Sequence, residues 1–283
     1  MIIEEQRIEV EGLPTRYLVA GEGPPLLLLH ALGESAFDWR WVLPDLASTH
    51  RVYAPDLPGF GESAKPLGDY SPSFFARFVA AFLDALEVER AAVVGNSLGG
   101  LVALRLALSE PSRVEALGLV DSAGLGREVN YALRHPTLPG QGELAIAWGK
   151  TPLGATGRAW LRVPLLFARP ECVPAEWLEE QQRLTQLPGF LEAVVSALRA
   201  HIDLRGQREV LLEKLPQLQM PTLIIWGSSD QIFPESQAKE AVSRLERGTL
   251  ELVPECGHLP HIERPDDFLA ALNPFLREQT QPS

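Results

Sequence analysis

Three residues of this chain have the chemistry of a nucleophilic relay: Ser97, Asp230 and His258. Ser97 lies in Gly95-Asn96-Ser97-Leu98-Gly99, a G-x-S-x-G run between the apolar, strand-like Ala91–Val94 and the helix-like Leu98–Leu108. A serine on so sharp a strand-to-helix turn is held with its hydroxyl exposed, and small flanking residues let strand and helix approach each other. The start of the helix adds free amides and the positive end of a dipole. A hydroxyl nucleophile needs a histidine to take its proton, and that histidine needs a carboxylate to fix its tautomer. Asp230 ends the loop Gly227-Ser228-Ser229-Asp230 after a strand over Thr222–Trp226. His258 ends Pro254-Glu255-Cys256-Gly257-His258 after a strand over Thr249–Val253. The order is serine, acid, histidine, and the chemistry expected is attack on an acyl carbonyl.

Other residues compete for each role. His50 precedes a strand and belongs to the opposite edge of a sheet, while His135 and His201 fall in a helical stretch as surface or hydrogen-bonded residues. His261 lies three residues beyond His258, but Gly257 gives His258 the tighter loop. His30 ends a strand and is read as a residue that orders its loop. For the acid, Asp121 ends the strand Val114–Val120 at the same edge and stays open beside Asp230; Asp56 is the weaker rival.

The elements that must position these residues alternate. Residues 2–10 and 15–20 read as a hairpin or two edge strands around Gly12-Leu13-Pro14. Leu26–Leu29 and Arg51–Ala54 read as strands, and Ser71–Val88 as a helix with Ser71 as N-cap and Pro72 at the first helical position. Further on, Glu235–Leu245 and Arg264–Leu276 read as helices. Strand–helix alternation at this spacing implies an α/β fold with a mostly parallel sheet of about eight strands and helices on both faces. Residues 125–208 interrupt it. They lack strand runs, carry several Pro and Gly breaks, and contain helical stretches at Ala175–Leu187 and Phe190–Ile202. The expected organisation is a core of 1–124 and 209–283 with a helical cap of 125–208.

Composition bounds the partners. The chain has 283 residues, 46% of them apolar, which excludes disorder, and a net charge of −12, which argues against nucleic acid. Its two cysteines, Cys172 and Cys256, form no metal-binding spacing and cannot make a disulfide framework; Cys256 reads as a small buried filler. No run approaches the roughly 20 apolar residues of a membrane span. No signal pattern opens the chain, so a cytoplasmic protein is expected, and a serine–histidine–carboxylate mechanism needs no metal or cofactor.

With these residues in order, the chain resembles the α/β-hydrolase fold superfamily, in its serine esterase and carbon–carbon hydrolase branch. Four segments carry the resemblance: Gly95–Gly100 looks like the nucleophile elbow, His30-Ala31-Leu32-Gly33 like the segment after the third strand, Asp56-Leu57-Pro58-Gly59-Phe60-Gly61-Glu62-Ser63 like the D-x-x-G-x-G-x-S loop, and Gly257–Pro265 like the histidine segment. The resemblance implies an oxyanion hole from the backbone amides of Leu32 and Leu98, worth about 3–4 kcal/mol each in such sites. Ala31 departs from the family's glycine, and its methyl group either restricts that loop or is tolerated there. A serine at the elbow argues against dehalogenases and epoxide hydrolases, which use Asp. Trp after the histidine, usual in carbon–carbon hydrolases, is replaced by Leu259, whereas Gly95-Asn96-Ser97 and Pro188–Glu192 are similar to that subgroup.

The reading is a serine carboxylesterase acting on a small-molecule ester through an acyl-enzyme on Ser97. A lactonase or a carbon–carbon hydrolase of a keto acid is the alternative, and a non-catalytic small-molecule receptor the alternative from another class. Trp148, Trp160, Phe167 and Trp177 are candidate cap residues for the pocket, with Phe60 and Leu259 nearer the relay. Residues 125–208 carry ten basic against eight acidic side chains, so the acidity belongs to the remainder of the chain. Solvated helix faces account for that excess; the sharper expectation is a cap arginine that receives a substrate carboxylate.

Overall fold

A computed structural model describes residues 2–279. Eight strands form one sheet: β1 (Glu4–Val10), β2 (Leu13–Ala20), β3 (Pro25–Leu29), β4 (Arg51–Pro55), β5 (Ala91–Asn96), β6 (Val114–Val120), β9 (Thr222–Gly227) and β10 (Gly248–Val253). A two-stranded ribbon, β7 (Ile202–Asp203) with β8 (Gly206–Gln207), stands apart. The spatial order is β1-β2-β4-β3-β5-β6-β9-β10, with β1–β2 and β2–β4 antiparallel and every other pair parallel.

Burial follows the sequence. All six residues of β5 and of β9 are buried, as a strand covered on both faces requires. The edge strand β1 instead exposes Glu4, Glu5, Arg7 and Glu9, charges that discourage pairing with another sheet. The hairpin turn is Glu11-Gly12, both with positive φ, so β2 begins at Leu13 rather than at residue 15. Pro14 is thus the second residue of a strand and not part of the turn.

Two apolar layers sandwich the sheet. One holds Phe75, Phe78 and Phe82 of the helix Pro72–Ala85 with Leu101, Val102 and Leu104 of the helix Leu98–Ser109. The other holds Trp39, Leu43, Phe268 and Leu272, from the short helices over 36–46 and the long helix Pro265–Gln279. Ser71 caps the helix it precedes, its Oγ accepting from the Phe74 amide at 3.2 Å.

The segment between β6 and β9 is helical, with helices at Gln141–Gly149, Pro152–Leu166, Ala175–Gln186 and Phe190–His201. The first two escape a search for helical periodicity because they are apolar on their outer faces as well: Leu144, Trp148, Leu153, Trp160 and Leu161 are exposed. Thr151 before Pro152 was the available signal, and its Oγ accepts from the Gly154 amide at 3.0 Å.

Candidate active site

The parallel strands end on one edge, and the residues just past those ends meet there. Ser97 follows β5 with φ 54° and ψ −114°, a region that costs a non-glycine residue about 1–3 kcal/mol and persists only where its surroundings enforce it. They do: the Ser97 amide donates to Val120 O at 2.9 Å, and Ser97 O accepts from the amides of Leu101 and Ala123. A Cβ on Gly95 would fall 2.2 Å from Gly99 O, and one on Gly99 would fall 2.2 Å from Leu29 O. The small residues flanking the serine are therefore a steric requirement of strand, turn and helix.

His258 is held from three sides. Its amide donates to Leu166 O at 2.8 Å, and its Nδ1 lies 2.9 Å from Asp230 Oδ2. Its carbonyl accepts from Asn96 Nδ2 at 3.0 Å, and the same amide group donates to Val120 O. Asn96 thus ties the serine turn to the histidine loop, a role the sequence reading did not assign. The other oxygen of Asp230 accepts from the Ile232 amide at 2.7 Å, which fixes the carboxylate toward the imidazole. Asp121, the rival acid, is fully buried, and its Oδ1 accepts from the Gly227 amide at 2.9 Å instead. Burial, and then the charge of Asp230, raises the Asp121 carboxyl well above the ordinary aspartate range. Asp121, Asp230 and His258 each offer one donor atom within 4.8 Å of the others. A cation could take those three donors only by displacing the proton that His258 shares with Asp230.

The remaining histidines separate cleanly. His261 stacks on Trp39 with ring centroids 4.3 Å apart, and burial pulls it down to about 3. His30 sits in its loop with Nδ1 2.7 Å from Ala31 O, while Nε2 accepts from the Leu57 amide. His50 is buried and His135 exposed. His201 is buried with Nε2 2.8 Å from Tyr70 O, and burial lowers it to about 4. Asp56 holds the loop around it, accepting from the amides of Ala36 and Glu62 and facing Arg16.

A second carboxylate joins the histidine loop to the helical segment. Glu263 is fully buried at its side chain and accepts from the amides of Gly257 (2.7 Å), Arg169 (2.8 Å) and Ala168 (3.2 Å). Glu34, just past the Leu32 loop, pairs with Arg162 and accepts from Gln181 Nε2 at 2.6 Å. Both contacts cross long stretches of chain, and no local pattern announces them.

Ser97, Leu98, Leu32 and His258 line one cavity, with an empty volume of about 780 Å³ that includes its opening to solvent. Among the described residues the amides of Leu32 and Leu98 make no hydrogen bond. The wall is mostly aliphatic: Leu101, Leu133, Leu165, Leu166, Leu198 and Ile232 take part. The aromatic residues expected there are elsewhere. Trp148 and Trp160 point outward, and Phe167 packs on Trp177 with ring centroids 5.0 Å apart in the interior of the helical segment. Phe60 is fully buried among Phe75, Tyr70 and Phe190, and Leu259 is buried in the same core. Large aromatic side chains went where the most area could be removed from water. Ala31 is buried beside Leu32 and also lines the cavity. No helix among the described residues is long and apolar enough to cross a membrane.

The sequence pattern of the "Alpha/beta hydrolase family" matches residues 26–272, nearly the whole of this fold. The chain belongs to the alpha/beta hydrolase family. Within that family it is 33% identical to a 2-hydroxymuconate semialdehyde hydrolase of Pseudomonas sp. (strain CF600), over 96% of this chain and 94% of that one. Among solved structures it superposes on a meta-cleavage product hydrolase from Pseudomonas fluorescens with a TM-score of 0.83 and 29% identity, covering 96% and 97% of the two chains. It also superposes on a bacterial membrane phospholipase A with a TM-score of 0.81 and 28% identity, covering 99% and 87%. An alpha/beta hydrolase with this strand order brings the residues past β5, β9 and β10 to one edge, where Ser97, Asp230 and His258 stand.

Proposed function

We propose that this alpha/beta hydrolase cleaves small carboxylic esters through an acyl-enzyme on Ser97. The observation that carries the reading is the Asp230–His258 hydrogen bond at the wall of the cavity that Ser97 also lines. His258 takes the hydroxyl proton as Ser97 Oγ attacks the ester carbonyl. The amides of Leu98 and Leu32 receive the oxyanion. His258 then returns the proton to the departing alcohol, and water releases the acid by the same steps in reverse order of partners. Asp230 keeps the imidazole oriented and stabilises its cation. The helical segment over 125–208 acts as a cap that supplies much of the aliphatic wall, which suits an apolar acyl or alcohol group.

The preference for an ester over an anionic keto acid rests on the cap arginines. Arg162 lines the cavity but is already paired with Glu34. Arg183 is paired with Glu180 and Glu62, and Arg199 with Glu143. One observation favours the second reading, carbon–carbon cleavage: Arg158 has no carboxylate partner among the described residues. It lies over the Phe190 ring at 5.5 Å, and a methyl group on Gly33 would come within 3.4 Å of it. A relative 30% identical over 96% of this chain is a hydrolase of a 2-hydroxy-6-oxo dienoic acid, a substrate with a carboxylate.

The test is substrate profiling with an active-site variant. Short p-nitrophenyl esters should turn over, and Ser97→Ala should lower kcat about 10⁵- to 10⁶-fold and abolish labelling by a fluorophosphonate. Turnover of a dienol-keto acid with esters untouched would select the second reading. Labelling and ester turnover unchanged in Ser97→Ala would overturn the role of Ser97, and a wild type that neither takes the label nor turns over any ester or keto acid would leave a non-catalytic receptor.

A further inference from the structure

Behind the Asp230–His258 pair stands a third ionisable group for which the ester-hydrolysis mechanism has no use. Asp121 follows β6, is fully buried, and has φ 41°, outside the range an aspartate takes freely. Its amide donates to Ile225 O at 3.0 Å and its Oδ1 accepts from the Gly227 amide at 2.9 Å. Its Oδ2 is buried with no hydrogen-bond partner. An ionised oxygen left so would forgo the solvation that stabilises its charge. The groups that face it are Asp230, His258, Glu263 and Cys256, and among the described residues no Lys or Arg pairs with it.

Two carboxylates this close and this dry do not both ionise. The partners decide which keeps the charge. Asp230 accepts from His258 Nδ1 and from the Ile232 amide, whereas Asp121 accepts only from the Gly227 amide. We infer that Asp121 is a positioning residue held as the neutral acid, its Oδ2 hydroxyl donating to the Asp230 carboxylate. One bond makes the orphaned oxygen a satisfied donor and adds a further fixed contact to the carboxylate that orients His258. Asp121 does not line the cavity, so it acts through Asp230 and not on substrate. This inference rests on the role given to His258 and Asp230 in the proposed ester hydrolysis.

The experiment compares the wild type with Asp121→Asn and Asp121→Leu. Asparagine offers the same pattern, an oxygen for the Gly227 amide and an N–H for Asp230; leucine offers neither. With p-nitrophenyl acetate, Asp121→Asn should keep kcat within about threefold, and Asp121→Leu should lose about 10- to 100-fold in kcat with KM within about twofold, the scale of one hydrogen bond to a charged group. In infrared difference spectra at neutral pH, wild type minus Asp121→Asn should show the carbonyl stretch of a protonated carboxylic acid, the contribution of the other buried acid raised by burial, Asp38, cancelling between the two. The inference is overturned if that difference band is absent, or if Asp121→Asn falls as far as Asp121→Leu. Should Asp121→Leu fail to fold, the band and the asparagine variant still decide. Should no ester be turned over at all, the proposed function fails while the band continues to report on Asp121.

Discussion

The sheet edge and the helical segment above it are built by different means. At the edge, Ser97, Asp230 and His258 each sit just past a strand end, and main-chain bonds fix the turn: Ser97 N to Val120 O, Asp230 N to Gly227 O, His258 N to Leu166 O. The helical segment is held to the core by the main-chain bonds at Leu166 and Asn130 and, beyond these, by side-chain contacts, Arg162 with Glu34, Gln181 with Glu34, Ser35 with Glu180, and Glu263 with the amides of Ala168 and Arg169. Main-chain geometry follows from strand, turn and glycine placement. Side-chain pairing depends on which helix comes to lie against which loop. The first can be read from a short stretch of sequence, the second only from the whole chain.

The contact where the two designs meet gives the largest expected effect. Glu263→Ala would leave three amides without an acceptor, the buried one of Gly257 and the part-buried ones of Ala168 and Arg169. Each such loss costs about 1–3 kcal/mol, so a total above about 3 kcal/mol is expected in urea unfolding, together with a fall in kcat because the His258 loop loses its anchor. Glu263→Gln keeps one oxygen and should recover part of both. A loss of stability with kcat unchanged would show that the helical segment does not hold the histidine loop.

Each of the two regions also carries a buried histidine that burial pulls well down. His261 lies in the core with a value near 3, and His201 lines the cavity from the helical segment with a value near 4. Both are neutral when folded and accept a proton when unfolded below about 6.5, so their stabilising contribution is present above that pH and is lost as pH falls toward the folded values. His261→Phe keeps the ring contact with Trp39 and removes the proton site. It should flatten the acid side of the stability profile by about 2 kcal/mol at pH 5, with little change at pH 8. An acid profile identical to wild type would mean that His261 is not kept neutral.

The smallest effect is expected on the outer face of the helical segment. Trp160 is 53% exposed there, and Trp160→Gln should change unfolding free energy by less than about 0.5 kcal/mol, against several for a change at Glu263. A larger loss would mean that this face is covered in solution.

Legibility followed the same division. The strands β5, β6 and β9 were readable because a run of four to seven apolar residues bounded by turn signals has few other uses. The segments carrying Ser97, Asp230 and His258 were readable because glycines and strand ends mark them locally. The helices Gln141–Gly149 and Pro152–Leu166 were not, since apolar residues on both faces erase the periodicity. The aromatic residues expected at the pocket were misplaced for a related reason: size predicts burial, and does not say against which neighbour.

By itself, the sequence determined the fold class, the edge at which chemistry gathers and the types of residue brought there, because these follow from hydrogen bonding and sterics within a few residues. Only the tertiary structure shows which of the two aspartates meets His258. Asp121 and Asp230 both end strands at that edge; the amides of Gly227 and Ile232 turn one away from His258 and the other toward it. It also decided that the cavity is lined by leucines and that Arg162, Arg183 and Arg199 are paired with carboxylates, since both depend on how helices far apart in the chain pack over one strand edge.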